Sequence, residues 1–178
     1  MNDQDTAAQW LAEEDAILAR HTLGTGIARR EDVAGMSGIE VLAAMIAGKL
    51  PRAPMSVTLD FMLIRVEPGI ATFQGHPHLK HYNPLGSVHG GWFATVLDSA
   101  MGCAVGSTLP AGKGYTTMEF KVNLVRALTE AIPVVRAEGK IVHSGRSSAT
   151  AVGRLFGPDG NLYAHASTTC LVFDRSAG

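Results

Sequence analysis

Cysteine is scarce in this sequence. Its two residues, Cys103 and Cys170, stand far apart and form no CxxC pair. A disulfide framework is excluded on that count, and both thiols read as reduced core residues of a cytoplasmic protein. Charge of one sign is missing too. Charged residues make up 17% and cancel to a formal net charge of −1, so no basic field for nucleic acid is visible. No apolar run reaches the length of a membrane span, and the opening "MNDQDTAAQ" is acidic and polar, unlike a secretory signal. Internal repeats, low-complexity tracts, a GxxxxGK[ST] loop and a GxGxxG after a strand are all absent. What the chain has instead is apolar content, 46% of 178 residues. That is room for one domain with a real core, and it points to surface buried against another subunit.

Two capping boxes open the chain. "TAAQ" (Thr6 to Gln9) precedes Trp10, Leu11, Ile17 and Leu18 at helical spacing, and "SGIE" (Ser37 to Glu40) precedes Val41, Leu42, Met45 and Ile46. The glycine-punctuated stretch between them is expected to be irregular, and residues 1–36 read as a helical extension to a domain at 37–178. Strand patterns follow, with "LDFMLIRV" and "IATFQGHP" flanking a turn at Pro68-Gly69. Residues from Gly90 to about Ser107 are apolar nearly all round, which predicts a buried helix. Four further strand segments complete the chain. In "YTTMEFKVNLV" the alternation places Met118 and Phe120 on one side and Thr117 on the other. The order predicts an α+β fold, a curled antiparallel sheet wrapped around one long helix.

Asp98 stands in the middle of that apolar helix. A buried carboxylate without partners costs several kcal/mol, so it is expected to be paired or used. Gly91, Ala94, Thr95, Asp98 and Gly102 share one face at three- and four-residue steps. The preceding "SVHGG" sets Gly90 and Gly91 in the first turn, where backbone N–H groups are unpaired and the helix dipole is positive. A glycine there lets a substrate oxygen reach the N–H. Gly90 and Asp98 are separated by roughly 12 Å along one helix, too far to hold one small reacting group. Two antiparallel copies across a two-fold axis would bring Gly90 of one chain to Asp98 of the other.

The series Asn83, Gly86, His89, Gly90, Gly91 and Asp98, within "NPLGSVHGG" and the helix after it, resembles the hotdog-fold acyl-CoA thioesterases of the PaaI type. "SGIEVLAAMIAGKLPRAP" is similar to their lead-in helix, so the resemblance covers about residues 37–174. It implies a hotdog fold and hydrolysis of an acyl-CoA to a free acid and coenzyme A. Coenzyme A would then be part of the substrate and no further cofactor is expected. It also implies Asp98 as general base or nucleophile, with the Gly90 N–H polarising the thioester carbonyl. Asn83, His89 and Thr117 would position substrate or water. Gly91 would contact substrate, and Gly145, Arg146 and Ser147 would meet the nucleotide end of coenzyme A. A homodimer at least is expected, with a dimer of dimers left open.

Other readings compete. "GRSSA" nearly matches a nucleophile elbow but lacks its last glycine and leads into a strand pattern. His76, His78 and His81 have zinc-like spacing without a matched carboxylate or cysteine, so no metal is expected. Within the fold, a non-catalytic acyl-CoA binder or a hydratase/dehydratase remains the alternative. Trp92, Phe93, Met118 and Phe120 are candidate lining for an acyl pocket, and equally ordinary core.

Overall fold

A computed structural model describes residues 2–175; Met1 and the last three residues of the 37–178 domain lie outside the described residues. Helix α1 (Asp3–Leu18) starts earlier than the Thr6 box predicts. Asn2 caps it, its side-chain oxygen accepting from the Asp5 N–H at 2.8 Å. The Thr6 hydroxyl instead donates to the Asn2 carbonyl within the first turn. Helix α2 (Gly38–Ile46) starts where its box predicts, the Glu40 carboxylate accepting from the Ser37 N–H at 2.7 Å. A short α3 (Pro54–Thr58) carries proline at its first position, where the missing N–H costs nothing.

Strands β1 (Phe61–Glu67) and β2 (Ile70–Gly75) form the expected hairpin through Pro68 and Gly69. The long helix α4 (Gly90–Gly106) follows, then β3 (Lys113–Leu124), β4 (Val135–Ser144), β5 (Ser148–Phe156) and β6 (Leu162–Asp174). All six strands lie in one antiparallel sheet of order β1-β2-β4-β5-β6-β3. The sheet curls around α4, whose Val96, Leu97, Ala100, Met101, Ala104 and Val105 are fully buried. Burial of each larger side chain contributes roughly 1.5–3 kcal/mol. Ser148 opens strand β5, so the near-elbow at 145–149 has no helix behind it.

One cross-strand pair seats the helix. Gly139 of β4 faces Gly153 of β5 in register. A Cβ on Gly139 would lie 2.2 Å from the Ala100 carbonyl oxygen, and one on Gly153 would lie 2.9 Å from Met101 Cγ. Their bare backbones form a dent into which α4 presses.

Strand β3 departs from the predicted alternation. Its register with β6 shifts between Thr117 and Glu119, a bulge at Met118. A period-two reading assumes no extra residue, and the bulge breaks it. Thr117 consequently faces α4, while Met118 and Phe120 are 55% and 41% exposed in the single chain.

The N-terminal extension is docked by polar contacts that span the whole sequence. The Arg136 guanidinium lies 4.3 Å over the Trp10 ring, and Arg136 and Arg65 donate to Glu13 at 2.7 and 3.1 Å. His76 Nε2 lies 2.8 Å from Glu14, and the Trp10 carbonyl accepts from Gln74. Beyond α1 the chain presses on the turn after α2. Gly48 has φ +72°, and a Cβ there would lie 2.2 Å from the Arg20 carbonyl oxygen. The stretch 19–36, expected to be irregular, adds one short 3₁₀ turn, Arg30–Val33.

The three loop histidines go to separate partners: His76 to Glu14, His78 to Asp60, and His81 stacked on Trp92. Among the described residues no cluster of three side chains is arranged to hold a metal ion, and no helix is long and apolar enough to cross a membrane.

Candidate functional site

Asp98 is half-buried on α4, and its carboxylate is tied to the neighbouring strand. The Thr117 hydroxyl donates to Asp98 Oδ1 at 2.9 Å. Both residues line a cavity of about 300 Å³ between α4, the first hairpin and the α2–α3 connection. Phe61, Leu63, Phe73, Met45 and Met55 give it apolar walls, while Ser99, Cys103 and Tyr115 lie near the carboxylate. A small, mostly apolar cavity with few polar groups is the usual form of a small-molecule site. Trp92 and Phe93 do not line this cavity: both are buried, the indole N–H donates to the Leu59 carbonyl at 2.9 Å, and Trp92 instead borders a groove beside His89.

Burial disfavours the thiolate form of the cysteine in this cavity. Burial pushes the Cys103 thiol up to about 12; the hydrogen bond with Tyr115 opposes this and the Asp98 charge adds to it. Burial, then the neighbouring Cys103, likewise raises the Tyr115 phenol well above its ordinary range. Both shifts disfavour ionisation of the thiol and the phenol, and the carboxylate lining this cavity is that of Asp98.

The start of α4 separates the roles of its two glycines. His89 is the N-cap, with an extended backbone at φ −64°, ψ 138°. Its Nδ1 accepts from the Gly91 N–H at 2.9 Å, and its carbonyl accepts from the Trp92 N–H at 2.9 Å. Gly90, as first residue of the helix, has no intrahelical acceptor for its N–H. Of the glycine pair it is thus Gly90 that presents a free donor, while Gly91 is occupied by its own cap. With Nδ1 accepting, a neutral His89 ring carries its proton on Nε2 and can donate outward.

Asn83 is turned inward to its own loop. Its Oδ1 accepts from the Leu85 N–H at 2.8 Å and its Nδ2 donates to Ser87 Oγ at 3.1 Å. It holds the turn that delivers His89 to the helix start, an Asx-type role. The turn at Gly145, Arg146 and Ser147 is likewise rigid. The Gly145 N–H donates to the Ser148 carbonyl at 2.8 Å, and the Ser147 carbonyl accepts from the Val172 N–H at 3.0 Å. Arg146 is exposed there. The adjacent Ser144 hydroxyl contacts Thr108, just past the C-terminal end of α4 and away from Gly90.

A single chain therefore brings Asp98 and Thr117 together and leaves the other candidates elsewhere. His89 and Gly91 line a different, open groove of about 400 Å³ with Lys80 and Tyr82. The two basic residues lining the cavity, His21 from the extension and Arg52, have no counterpart among the sequence candidates. Only the oddity of a lone arginine between prolines in "LPRAP" could have marked Arg52; nothing marks His21.

Comparison with known proteins places this architecture. Residues 85–164 match the family model of the thioesterase superfamily. No curated protein matches the chain. Among solved structures, a phenylacetic acid degradation-related protein from Ralstonia eutropha is 26% identical, with a TM-score of 0.67 over 73% of this chain and 98% of that one. A thioesterase family protein from Silicibacter pomeroyi is 25% identical, with a TM-score of 0.64 over 68% of this chain and 90% of that one. A point mutant of the phenylacetic acid degradation protein PaaI from Thermus thermophilus shares the fold at 23% identity, with a TM-score of 0.59 over 66% of this chain and 97% of that one. The chain thus has a hotdog fold similar to that of PaaI-related thioesterases, and its residues 85–164 resemble the thioesterase superfamily.

Proposed function

We propose that the protein is an acyl-CoA thioesterase, releasing a free acid and coenzyme A. The observation that carries the reading is the Asp98 carboxylate, held by Thr117 at the wall of an apolar cavity. With Oδ1 engaged, Oδ2 is left for a water or for the thioester carbon itself. As general base, Asp98 takes a proton from water while the water oxygen attacks the carbonyl carbon. The carbon–sulfur bond then breaks, and the thiolate leaves with that proton. As nucleophile, Asp98 attacks the carbonyl carbon and expels the coenzyme A thiolate to give an acyl anhydride. Water then opens the anhydride to the free acid, regenerating the Asp98 carboxylate and releasing a proton to the thiolate. Either route builds negative charge on the carbonyl oxygen, which a backbone N–H stabilises.

That N–H is the one on Gly90 of a second copy, because within one chain the helix separates it from Asp98 by roughly 12 Å. Strand β3 supports such a pairing. It is the sheet edge away from the N-terminal helices, and it carries exposed Met118, Phe120 and Leu124, with exposed Val125 just beyond it. A twelve-residue edge of this kind is an aggregation hazard unless something pairs with it. In the dimer His89 Nε2–H lies at the shared site as a second donor, and the exposed Arg146 is available to coenzyme A phosphates.

Thiol release from a panel of acyl-CoAs tests the reading. Asp98→Asn is expected to keep the fold and lose turnover by roughly a hundredfold or more. Full activity of that variant on every substrate the wild type hydrolyses would remove Asp98 from the chemistry. Tight binding with no turnover by either protein would make this a binding module instead.

A further inference from the structure

The cavity that holds Asp98 is also lined by two basic side chains that the hydrolysis does not use. Arg52 and His21 both line it. Arg52 Nε and His21 Nδ1 are buried, and neither has a hydrogen-bond partner among the described residues. No carboxylate of the described residues forms an ion pair with Arg52. A guanidinium N–H removed from water without an acceptor is costly, and proteins rarely leave one so unless a ligand completes it.

The arrangement is built. The Arg52 N–H donates to the Gly24 carbonyl at 3.0 Å, and the Arg52 carbonyl accepts from the Gly26 N–H at 2.9 Å. Thr25 and Arg52 form a parallel bridge, and the bare Cα of Gly48 lets the Arg20 backbone close in beside them. The segment after α1 is thereby clamped around Arg52, with His21 as its neighbour. Burial, and then the charge of Arg52, hold His21 below its ordinary imidazole range, so the ring is neutral and its charge does not compete with the guanidinium. Both residues lie outside the stretch 85–164 that matches the superfamily.

Taking the thioesterase reading as given, we infer that the acyl group carries a carboxylate at its far end, received by Arg52 and His21 while its apolar middle lies against Phe61, Leu63 and Phe73. The substrate class is then the coenzyme A half-thioester of a dicarboxylic acid. The guanidinium fork matches a carboxylate in shape and charge, which a hydroxyl or a methyl end would not exploit. The N-terminal extension thereby takes part in selecting the substrate, supplying His21 beside Arg52 of the α2–α3 connection.

Matched thioether probes test this without relying on hydrolysis: S-alkyl-CoA against S-(ω-carboxyalkyl)-CoA, in pairs of increasing length, with affinity measured by calorimetry. Wild type is expected to prefer the carboxylated member of at least one pair by about tenfold to a hundredfold. Arg52→Met is expected to abolish the preference while keeping affinity for the alkyl member, and Arg52→Lys to keep part of it. No preference at any length overturns the inference, whether or not Arg52→Met folds. A wild-type preference that survives in folded Arg52→Met overturns it as well. Binding preference without any acyl-CoA turnover would instead sink the hydrolase reading and leave the carboxylate site standing.

Discussion

The Thr117 hydroxyl donates to Asp98 Oδ1 at 2.9 Å, joining the first strand after the long helix to the helix itself. It fixes which carboxylate oxygen is free, so Thr117 acts as a positioning residue. Thr117→Val removes the donor with little change of shape. It is expected to lower kcat about tenfold with KM nearly unchanged, the scale of one hydrogen bond to a charged group. Thr117→Ser should recover most of the loss. Equal kcat in the valine variant, measured by steady-state thiol release, would show that the hydroxyl is only structural.

Sites shared between copies can be reassembled from defective chains. Gly90→Pro deletes the free N–H at a position where proline suits a helix, and the extended backbone of His89 is what a following proline requires. Both Gly90→Pro and Asp98→Ala are expected to be inactive as homodimers. Mixed after reversible dissociation, they should regain up to about a quarter of wild-type sites, since a random mixture is half heterodimer and one site in each is intact. Absence of recovery in verified heterodimers would place donor and carboxylate in the same chain.

Docking of α1 has a pH window set by two contacts of opposite sense. The Glu14 hydrogen bond holds His76 above its ordinary value of 6.5, against the effect of burial. That contribution is complete below pH 6.5 and is lost as pH rises through the raised folded value. Burial alone would raise Glu13, but hydrogen bonds from Arg136 and Arg65 outweigh it and hold the carboxyl below its ordinary 4.5. Its contribution is present above 4.5 and is lost as pH falls through the lowered value. His76→Leu should therefore destabilise the protein more at about pH 6 than at about pH 9 in urea unfolding. A deficit that grows toward alkaline pH would reverse the sign.

The raised Cys103 thiol makes a chemical prediction. Native protein near neutral pH should react negligibly with a chromogenic disulfide reagent, since the thiolate is the reactive form and the other thiol, Cys170, is buried as well. Two equivalents per chain should appear on denaturation. Fast native labelling at Cys103, located by peptide mapping, would show an open cavity with an ionised thiol.

Much of this architecture is legible in the sequence. Asp98 stands out because a carboxylate in an apolar helix is costly, and the strand segments are marked by alternation and turns. Resemblance picks out Thr117, but alternation alone gives it the wrong direction, because a bulge at Met118 leaves no mark on a period-two pattern. The extension stays silent for a different reason. Its contacts join Glu13 to Arg136 and Arg20 to Gly48, and sequence periodicity carries no information about pairings at such range. Asn83, expected to position substrate or water, bonds its side chain to its own turn in the single chain, a pairing that a motif does not reveal.

The seat formed by Gly139 and Gly153 divides the molecule into a part that must not move and a part that can be exchanged. A helix locked into a notch holds its carboxylate still while substitutions accumulate elsewhere. His21 and Arg52, which line the same cavity from outside the helix and its sheet, can be changed without disturbing that lock. On the proposed reading, acyl preference would then be retuned at positions 21 and 52 while Asp98 and Thr117 stay as they are.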